Sequence, residues 1–343
     1  GVTVQKSNLE DIHNDEKVVT GVTFDASGLA TGADVQQAEA RAKAHADDAA
    51  ADVVPVSVAG GPLEKTYRFA RPVTLRTLVL PPPKKVLVRN TYHLSHASVR
   101  VEAKVADGWR EVATYRIPAG CWQDEVPMSF ALDEATADEW RVTMLATRPA
   151  ATALPTPRFY EGARLNNWEG RAAWVLRGLV PERPVRQSPA AWVRASEIRD
   201  VSDRMSRDGR IRGLVLPAGR WTILRIGHIN NGAWNIPAPP EVVGWECDKL
   251  DPKGVECNYA AYVKKIVDGP FKGKATGLLV DSWECRRQTW SAPLDRIYRG
   301  PRGLDPRLVS VFGFVVDSPA ATTAFLRDWR ENISRLVDDN YFA

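Results

Sequence analysis

Long apolar runs are missing from this 343-residue chain. No stretch reaches the roughly 18 apolar residues that a membrane-spanning helix needs, which argues against a membrane protein. A leader of the charged-then-apolar kind is missing too. The chain opens at Gly1 rather than methionine, so it reads as a processed product or a piece of a longer protein, with any export signal already gone. Cysteine is scarce, with Cys121, Cys247, Cys257 and Cys285 the only four. None forms a C-x-x-C and no histidine stands at metal-finger spacing, so a structural zinc site is not expected. A Cys247–Cys257 bridge is open on spacing, though each thiol reads better as a small core hydrophobe. Charge of one sign is not in excess either: 46 basic residues face 42 acidic ones, for a net +4. Signs this evenly mixed give no basic stripe for nucleic acid. Internal repeats, low-complexity tracts, a Gly-rich phosphate loop, a G-x-S-x-G elbow and an H-E-x-x-H pair are all lacking.

What remains is an ordinary globular composition, 44% hydrophobic and 26% charged, long enough for two domains and a sizeable core. Twelve tryptophans stand out. Indole faces stack on sugar rings, although their commoner use is packing in cores and interfaces.

The chain divides into three stretches. Residues 1–61 are the least legible. A helix is expected over 34–51 from its Ala, Glu, Gln and Lys content, followed by a short strand over 52–58 ending at Gly60-Gly61. Over 62–150 the hydrophobic period becomes two. Val99, Val101, Ala103 and Val105 alternate with Arg100, Glu102 and Lys104, Asp107-Gly108 turns the chain, and 111–117 returns as the partner strand. Val73 and Leu75, Val86 and Val88, and Trp140, Val142 and Met144 supply further strands. Short strands between turn signals predict a separate antiparallel β-sandwich of the jelly-roll kind, with Val99, Val101 and Trp140 inside. Pro149 to Pro157 reads as a linker. In the third stretch, 151–343, strands are expected over 211–216 and 221–226. Beyond 250 helix and strand alternate. Asp251 caps a helix opened by Pro252, with Val255, Tyr259, Tyr262, Val263 and Ile266 on one face and Gly269 as its stop. Ala275 to Val280 is a short apolar strand. Ser318 caps a last helix, opened by Pro319, with Phe325, Trp329, Ile333 and Leu336 at helical spacing. The order suggests a parallel α/β layer, either a barrel or an open sheet. The fold class read here is therefore α+β and multidomain, an antiparallel jelly-roll-like β-sandwich combined with a parallel layer.

Chemistry concentrates at three places. The strand ending at Val280 runs into Asp281-Ser282-Trp283-Glu284. Two carboxylates and an indole at a strand end suit sugar cleavage, where one carboxylic acid protonates the leaving oxygen and an apolar neighbour such as Trp283 keeps it protonated. The blander reading has Asp281 capping a loop and Glu284 solvated. Gly244-Trp-Glu-Cys-Asp-Lys-Leu250 brings Glu246, Asp248 and Lys249 together before a helix. They can bind sugar hydroxyls or a hard cation, or merely form a helix-entry salt bridge. His228, Asn230 and Asn231 lie on a loop after a strand, where a lone histidine is more often structural.

Several runs stand in order along the chain. They are Arg164-Leu-Asn-Asn-Trp-Glu169, Val201-Ser-Asp-Arg-Met205 with Asp208-Gly-Arg210, and Leu216-Pro-Ala-Gly-Arg-Trp-Thr-Ile-Leu-Arg-Ile-Gly-His228. Pro237-Ala-Pro-Pro240, Trp245-Glu-Cys-Asp-Lys-Leu250, Gly277-Leu-Leu-Val-Asp-Ser-Trp-Glu284, Val316-Asp-Ser-Pro319 and Asp339-Asn-Tyr341 complete the series. Taken in order over about 160–343, it resembles the glycoside hydrolase family of inverting α-L-rhamnosidases, glycoside hydrolase family 106. The resemblance implies a (β/α)8 barrel carrying β-sandwich elements, so that 151–343 would be a partial catalytic barrel with a β-rich insertion and 1–61 a remnant of its opening. It implies calcium at the sugar site and a rhamnose-containing oligosaccharide, polysaccharide or glycoside as partner, with neither nucleic acid nor membrane. Glu284 matches the general acid. Asp281, Trp283, Glu246, Asp248, Lys249, His228 and Asn231 become candidate substrate contacts, with Glu246 and Asp248 also candidates for the cation. The family's chains are far longer, and the base of the inverting pair is expected beyond residue 343. Residues 1–45 do not resemble the family's barrel opening, and 309–316 read as a strand where the family pattern has a helix end and loop. A periplasmic or secreted location suits a polysaccharide substrate. Two competing readings stand beside this one: a non-catalytic carbohydrate-binding or scaffold piece, and a lectin-like interaction protein that rests on the tryptophans alone.

Overall fold

A computed structural model describes residues 2–6, 19–25, 53–81, 97–118, 126–146, 153–178, 183–206, 211, 213–218, 220–226, 240–274, 276–277, 288, 290–291, 293–294 and 313–342. Its largest element is a six-stranded antiparallel sheet. Strands β3 (Ser57–Ala59), β4 (Glu64–Leu80), β5 (Ala97–Val105), β6 (Gly108–Arg116), β7 (Met128–Ala146) and β8 (Arg158–Tyr160) compose it. They run in the order β3-β4-β7-β5-β6, with β8 added to β4. Two shorter strands precede it in the chain, β1 (Val2–Lys6) and β2 (Val19–Asp25). They pair antiparallel with each other, and β2 pairs antiparallel with β9 (Arg220–Ile226).

Alternation is what buries one face of the sheet. Val99, Val101 and Ala103 of β5 lie in a core with Leu75, Leu78, Phe130, Trp140 and Val142. The Tyr67 ring meets Phe159 at 4.9 Å and 64°, the edge-to-face geometry that aromatic pairs prefer. The β5–β6 hairpin turns on Ala106-Asp107, with Val105 opposite Gly108, so β6 starts three residues before the expected partner strand. Not every alternating polar residue faces water. Glu102 is largely buried because Arg141 grips it with two hydrogen bonds, of 2.7 and 2.8 Å, under the Trp109 ring. That grip holds the Glu102 carboxyl below the usual carboxylate range, aided by Arg100 and against the pull of burial.

The two long strands are not regular. Pairing between β4 and β7 shifts between Arg68 and Val73, where Pro72 has no N–H to give the ladder, and again between Leu75 and Thr77. At the second shift the β7 backbone turns to another partner. Glu134 N–H donates to the Arg186 carbonyl at 2.7 Å, and the segment 183–188 lies along the strand there. Asp133 takes Arg183 Nη2 at 2.6 Å and Arg186 N–H at 3.0 Å. Gln187 Nε2 donates to the carbonyls of Arg76 and Leu132, and Ser188 N–H to Glu134.

A second core is built mainly from residues beyond 160, with Val126 joining it. It gathers Trp168, Trp174, Leu250, Trp290, Val315, Phe325, Trp329 and Leu336. The α-helices among the described residues are α1 (Trp168–Arg171), α2 (Pro252–Asn258), α3 (Lys264–Asp268) and α4 (Pro319–Val337), of which α1 and α4 bury side chains in this core. Ser318 Oγ accepts from Ala321 N–H and Pro319 opens α4, which buries Phe325, Trp329, Ile333 and Leu336 as the spacing predicts. Asp251 caps α2 by accepting from Lys253 N–H, again with proline first, and Gly269 ends α3. Between α2 and α3 the chain makes a π turn, Tyr259–Val263. The extra residue breaks the 3.6 spacing, so the five residues expected on one face do not share it. Tyr259 and Tyr262 are exposed.

Other expectations meet mixed results. Ile211 makes only a single bridge, to Met205, and 213–216 is irregular rather than a strand. The second half of the expected linker is packed down, with Leu154 buried in the first core and its N–H on the Pro62 carbonyl at 2.5 Å. Phe314 and Val316 each make one bridge, to Arg164 and Val193. Cys247 and Cys257 are free, and Cys257 is exposed rather than a core thiol. The expected helix over 34–51, the strands at Val86 and Val88 and over 278–280, and Cys121 and Cys285 lie outside the described residues.

Candidate active site

The Gly244–Leu250 run enters α2 and turns its polar side chains on its own neighbours. Lys249 is buried, and its Nζ stands 2.5 Å from Glu246 Oε2 and over the Tyr341 ring at 5.5 Å. The helix-entry ion pair is thus formed. Asp248 is half-buried and engaged at both oxygens. Its Oδ1 accepts from Leu250 N–H at 2.9 Å and from the Gln288 carboxamide, and its Oδ2 accepts from Ser291 Oγ at 2.7 Å. Lys249 N–H donates to Gln288 Oε1 at 3.1 Å. Asn340 Nδ2 reaches the Leu250 carbonyl at 3.0 Å. Trp290 stacks on Trp329 at 6.3 Å and 22°. Burial pushes the Cys247 thiol up, away from reactivity.

Two sequence tags, 245–250 and Asn340-Tyr341, therefore meet in one place with Gln288 and Ser291. Calcium asks for six to eight oxygens, and both carboxylates here already serve hydrogen-bond donors or an ammonium. Among the described residues no group of three His, Cys, Asp or Glu side chains is placed to hold a metal ion. Asp281, Trp283 and Glu284, like His228 and Asn231, lie outside the described residues.

A second polar cluster sits under the sheet, built by the Arg164–Glu169 run. Asn167, left-handed at φ 48°, leads into α1. Glu169 is buried, with Oε1 accepting from Ser129 Oγ at 2.5 Å and Oε2 at 3.8 Å from the fully buried guanidinium of Arg177. Arg177 also donates to the Val126 and Pro127 carbonyls and to Asn167 Oδ1. Burial pushes the Glu169 carboxyl up, more than Arg177 and Ser129 pull it down. Trp168 Nε1 donates to Ser129 Oγ at 3.1 Å. Sequence reasoning used this run only as a tag. A carboxylate flanked by Trp168 and an arginine eight residues on carries no spacing that distinguishes a buried pair from a solvated one.

The family model described as alpha-L-rhamnosidase, glycoside hydrolase family 106, matches residues 15–343. It takes in 15–45, most of the stretch that was not expected to resemble the family. Among solved structures, a rhamnosidase from Novosphingobium sp. PP1Y is similar with a TM-score of 0.64 and 23% identity, over 85% of this chain and 28% of that one. That likeness concerns the fold. A curated protein of Formosa agariphila named "Putative beta-glucuronidase" is 29% identical over 199 residues, 57% of this chain and 17% of its own length. The chain thus spans less than a third of either relative.

Proposed function

This chain belongs to the alpha-L-rhamnosidase family, glycoside hydrolase family 106, and on that premise we propose that the protein it forms part of hydrolyses terminal α-L-rhamnosides with inversion. In this reading Glu284 is the general acid. It protonates the glycosidic oxygen as the bond to the anomeric carbon breaks, while a carboxylate base takes a proton from the water attacking the opposite face. The base lies outside these 343 residues. Trp283 shields the Glu284 carboxyl from water and keeps it protonated near neutral pH. Asp281, His228 and Asn231 bind sugar hydroxyls. Calcium belongs to this proposal through the family resemblance, with its ligands elsewhere than Glu246 and Asp248.

The observation that supports the reading is the meeting of two family tags, 245–250 and 339–341, with Gln288 and Ser291 in one cluster. Gln288 and Ser291 hydrogen-bond to the Asp248–Leu250 run, and Asn340 closes it. The architecture that goes with it is a jelly-roll sandwich built on the six-stranded sheet and a (β/α)8 barrel to which 151–343 contribute. Support comes from the two separate cores, one of strands and one mainly of helices and loops. A periplasmic or secreted protein suits a polysaccharide substrate.

The test uses the full-length enzyme with an aryl α-L-rhamnoside and an aryl β-D-glucuronide. Turnover of the rhamnoside, with β-L-rhamnose as the first anomer seen by proton NMR, is the expected result. Preference for the glucuronide, or α-L-rhamnose first, contradicts it. Glycan binding without turnover of either substrate favours a carbohydrate-binding piece.

A further inference from the structure

We infer that Asp248 is a positioning residue for the general acid, rather than a contact for sugar or cation; this rests on the reading of Glu284 given above. A carboxylate offers about four lone-pair sites, and three are already used within the protein. Leu250 N–H and the Gln288 carboxamide take Oδ1, and Ser291 Oγ takes Oδ2. Gln288 is read at both ends, because its Oε1 accepts from Lys249 N–H at 3.1 Å. The carboxamide therefore has one orientation, and a shift of residues 288–291 along the 248–250 run breaks several hydrogen bonds together.

Both sides of this latch are backed by packing. A Cβ on Gly254 would run into the Asp248 backbone, so α2 lies directly against it. Ser291 is buried beside Trp290, whose ring stacks on Trp329 of α4. Lys249 is held in turn by Glu246 and lies over Tyr341. What the latch secures is the chain that begins at the acid. Gln288 follows Glu284 by four residues, a reach of at most about 14 Å even when fully extended. An acid that must meet a glycosidic oxygen loses on the order of 10²-fold in rate for a displacement of about 1 Å. Fixing residue 288 fixes one end of the short tether on which Glu284 sits.

The role has a signature that mere stabilisation lacks. A misplaced acid matters only where the leaving group needs a proton. The test compares Asp248→Asn, Ser291→Ala and Glu284→Gln in the full-length enzyme, on rhamnosides whose leaving groups run from alkyl alcohols to dinitrophenol. Asp248→Asn should lower kcat on alkyl rhamnosides by about 10–10²-fold and on dinitrophenyl rhamnoside by less than about threefold, with KM unchanged. Ser291→Ala removes only the bond to Oδ2 and should show the same trend more weakly; it carries the test if Asp248→Asn does not fold. Millimolar calcium should not restore either variant. An equal loss across all leaving groups, a rise in KM alone, or rescue by calcium overturns the inference. Glu284→Gln separates the two claims. A flat response there removes Glu284 as the acid, while a steep response there with a flat one in Asp248→Asn leaves the acid standing and removes the latch.

Discussion

Glu169 and Ser129 meet beneath the sheet, carboxylate Oε1 to hydroxyl Oγ, at 2.5 Å and forty residues apart in sequence. The contact joins the start of β7 to α1, and Arg177 closes it from the other side with its side chain out of water. A buried pair of this kind adds little net stability when whole, but removing one partner strands the other. Replacing Glu169 by alanine should therefore cost about 3–5 kcal/mol in urea unfolding. A loss below about 1 kcal/mol, the range of an exposed ion pair, would show that water reaches Arg177.

The same carboxyl predicts a pH dependence of definite sign. Its folded-state pKa is raised by burial, so the folded protein holds that proton more tightly than the unfolded chain. Its contribution is full below the ordinary glutamate value of about 4.3 and is lost as pH rises from there through the raised folded value. Glu102 runs the other way, its lowered value giving stability that is lost as pH falls. Comparing wild type with Glu169→Gln isolates the first effect. The difference in unfolding free energy should move against the wild type as pH increases through that window. A difference that is constant with pH would mean Glu169 stays ionised.

Gly313 and Gly213 share a left-handed backbone, at φ +58° and +61°, in different surroundings. A Cβ at 313 would enter the Trp168 indole, whereas nothing lies within 4 Å of one at 213. Gly213→Ala should cost about 1–2 kcal/mol, the conformational term alone. Gly313→Ala adds overpacking, and should cost about 1–3 kcal/mol more. Equal melting temperatures for the two variants would contradict the close approach.

The segment at 183–188 is tied to β7 chiefly by Asp133, which takes both Arg183 and Arg186. Losing one charged hydrogen bond there costs about 1.5–3 kcal/mol, and cleavage follows the open population. Asp133→Asn should then raise the rate of tryptic cutting after Arg186 by roughly 10–100-fold. An unchanged rate would mean that Gln187 and Glu134 hold the segment unaided.

Local signals were legible where backbone chemistry decides the outcome. Ser318-Pro319 and Asp251-Pro252 announced two helix starts, and the alternation at Val99, Val101 and Trp140 announced buried strand faces. Other features depended on partners far along the chain. Glu102 looked like a solvent residue until Arg141, 39 positions away, gripped it. The π turn at Tyr259–Val263 leaves no mark in the residue types, so the expected face of α2 was drawn too long. The bonds that hold Asp248 had no sequence signal, because its partners Gln288 and Ser291 are 40 and 43 residues away. The N-terminal pairing of β2 with β9 joins segments some 200 positions apart and had no sequence signal.

The proposal of an inverting rhamnosidase with Glu284 as its acid is tested most directly by kcat for Glu284→Gln in the full-length enzyme, on an alkyl rhamnoside beside a dinitrophenyl one. General acid catalysis contributes about 10²–10⁴-fold where the leaving group must be protonated. The account predicts a loss of that size on the alkyl substrate, near wild-type turnover of the dinitrophenyl one, and loss of the wild-type decline in rate at high pH. Wild-type turnover of the alkyl rhamnoside by Glu284→Gln would contradict it and place the acid elsewhere.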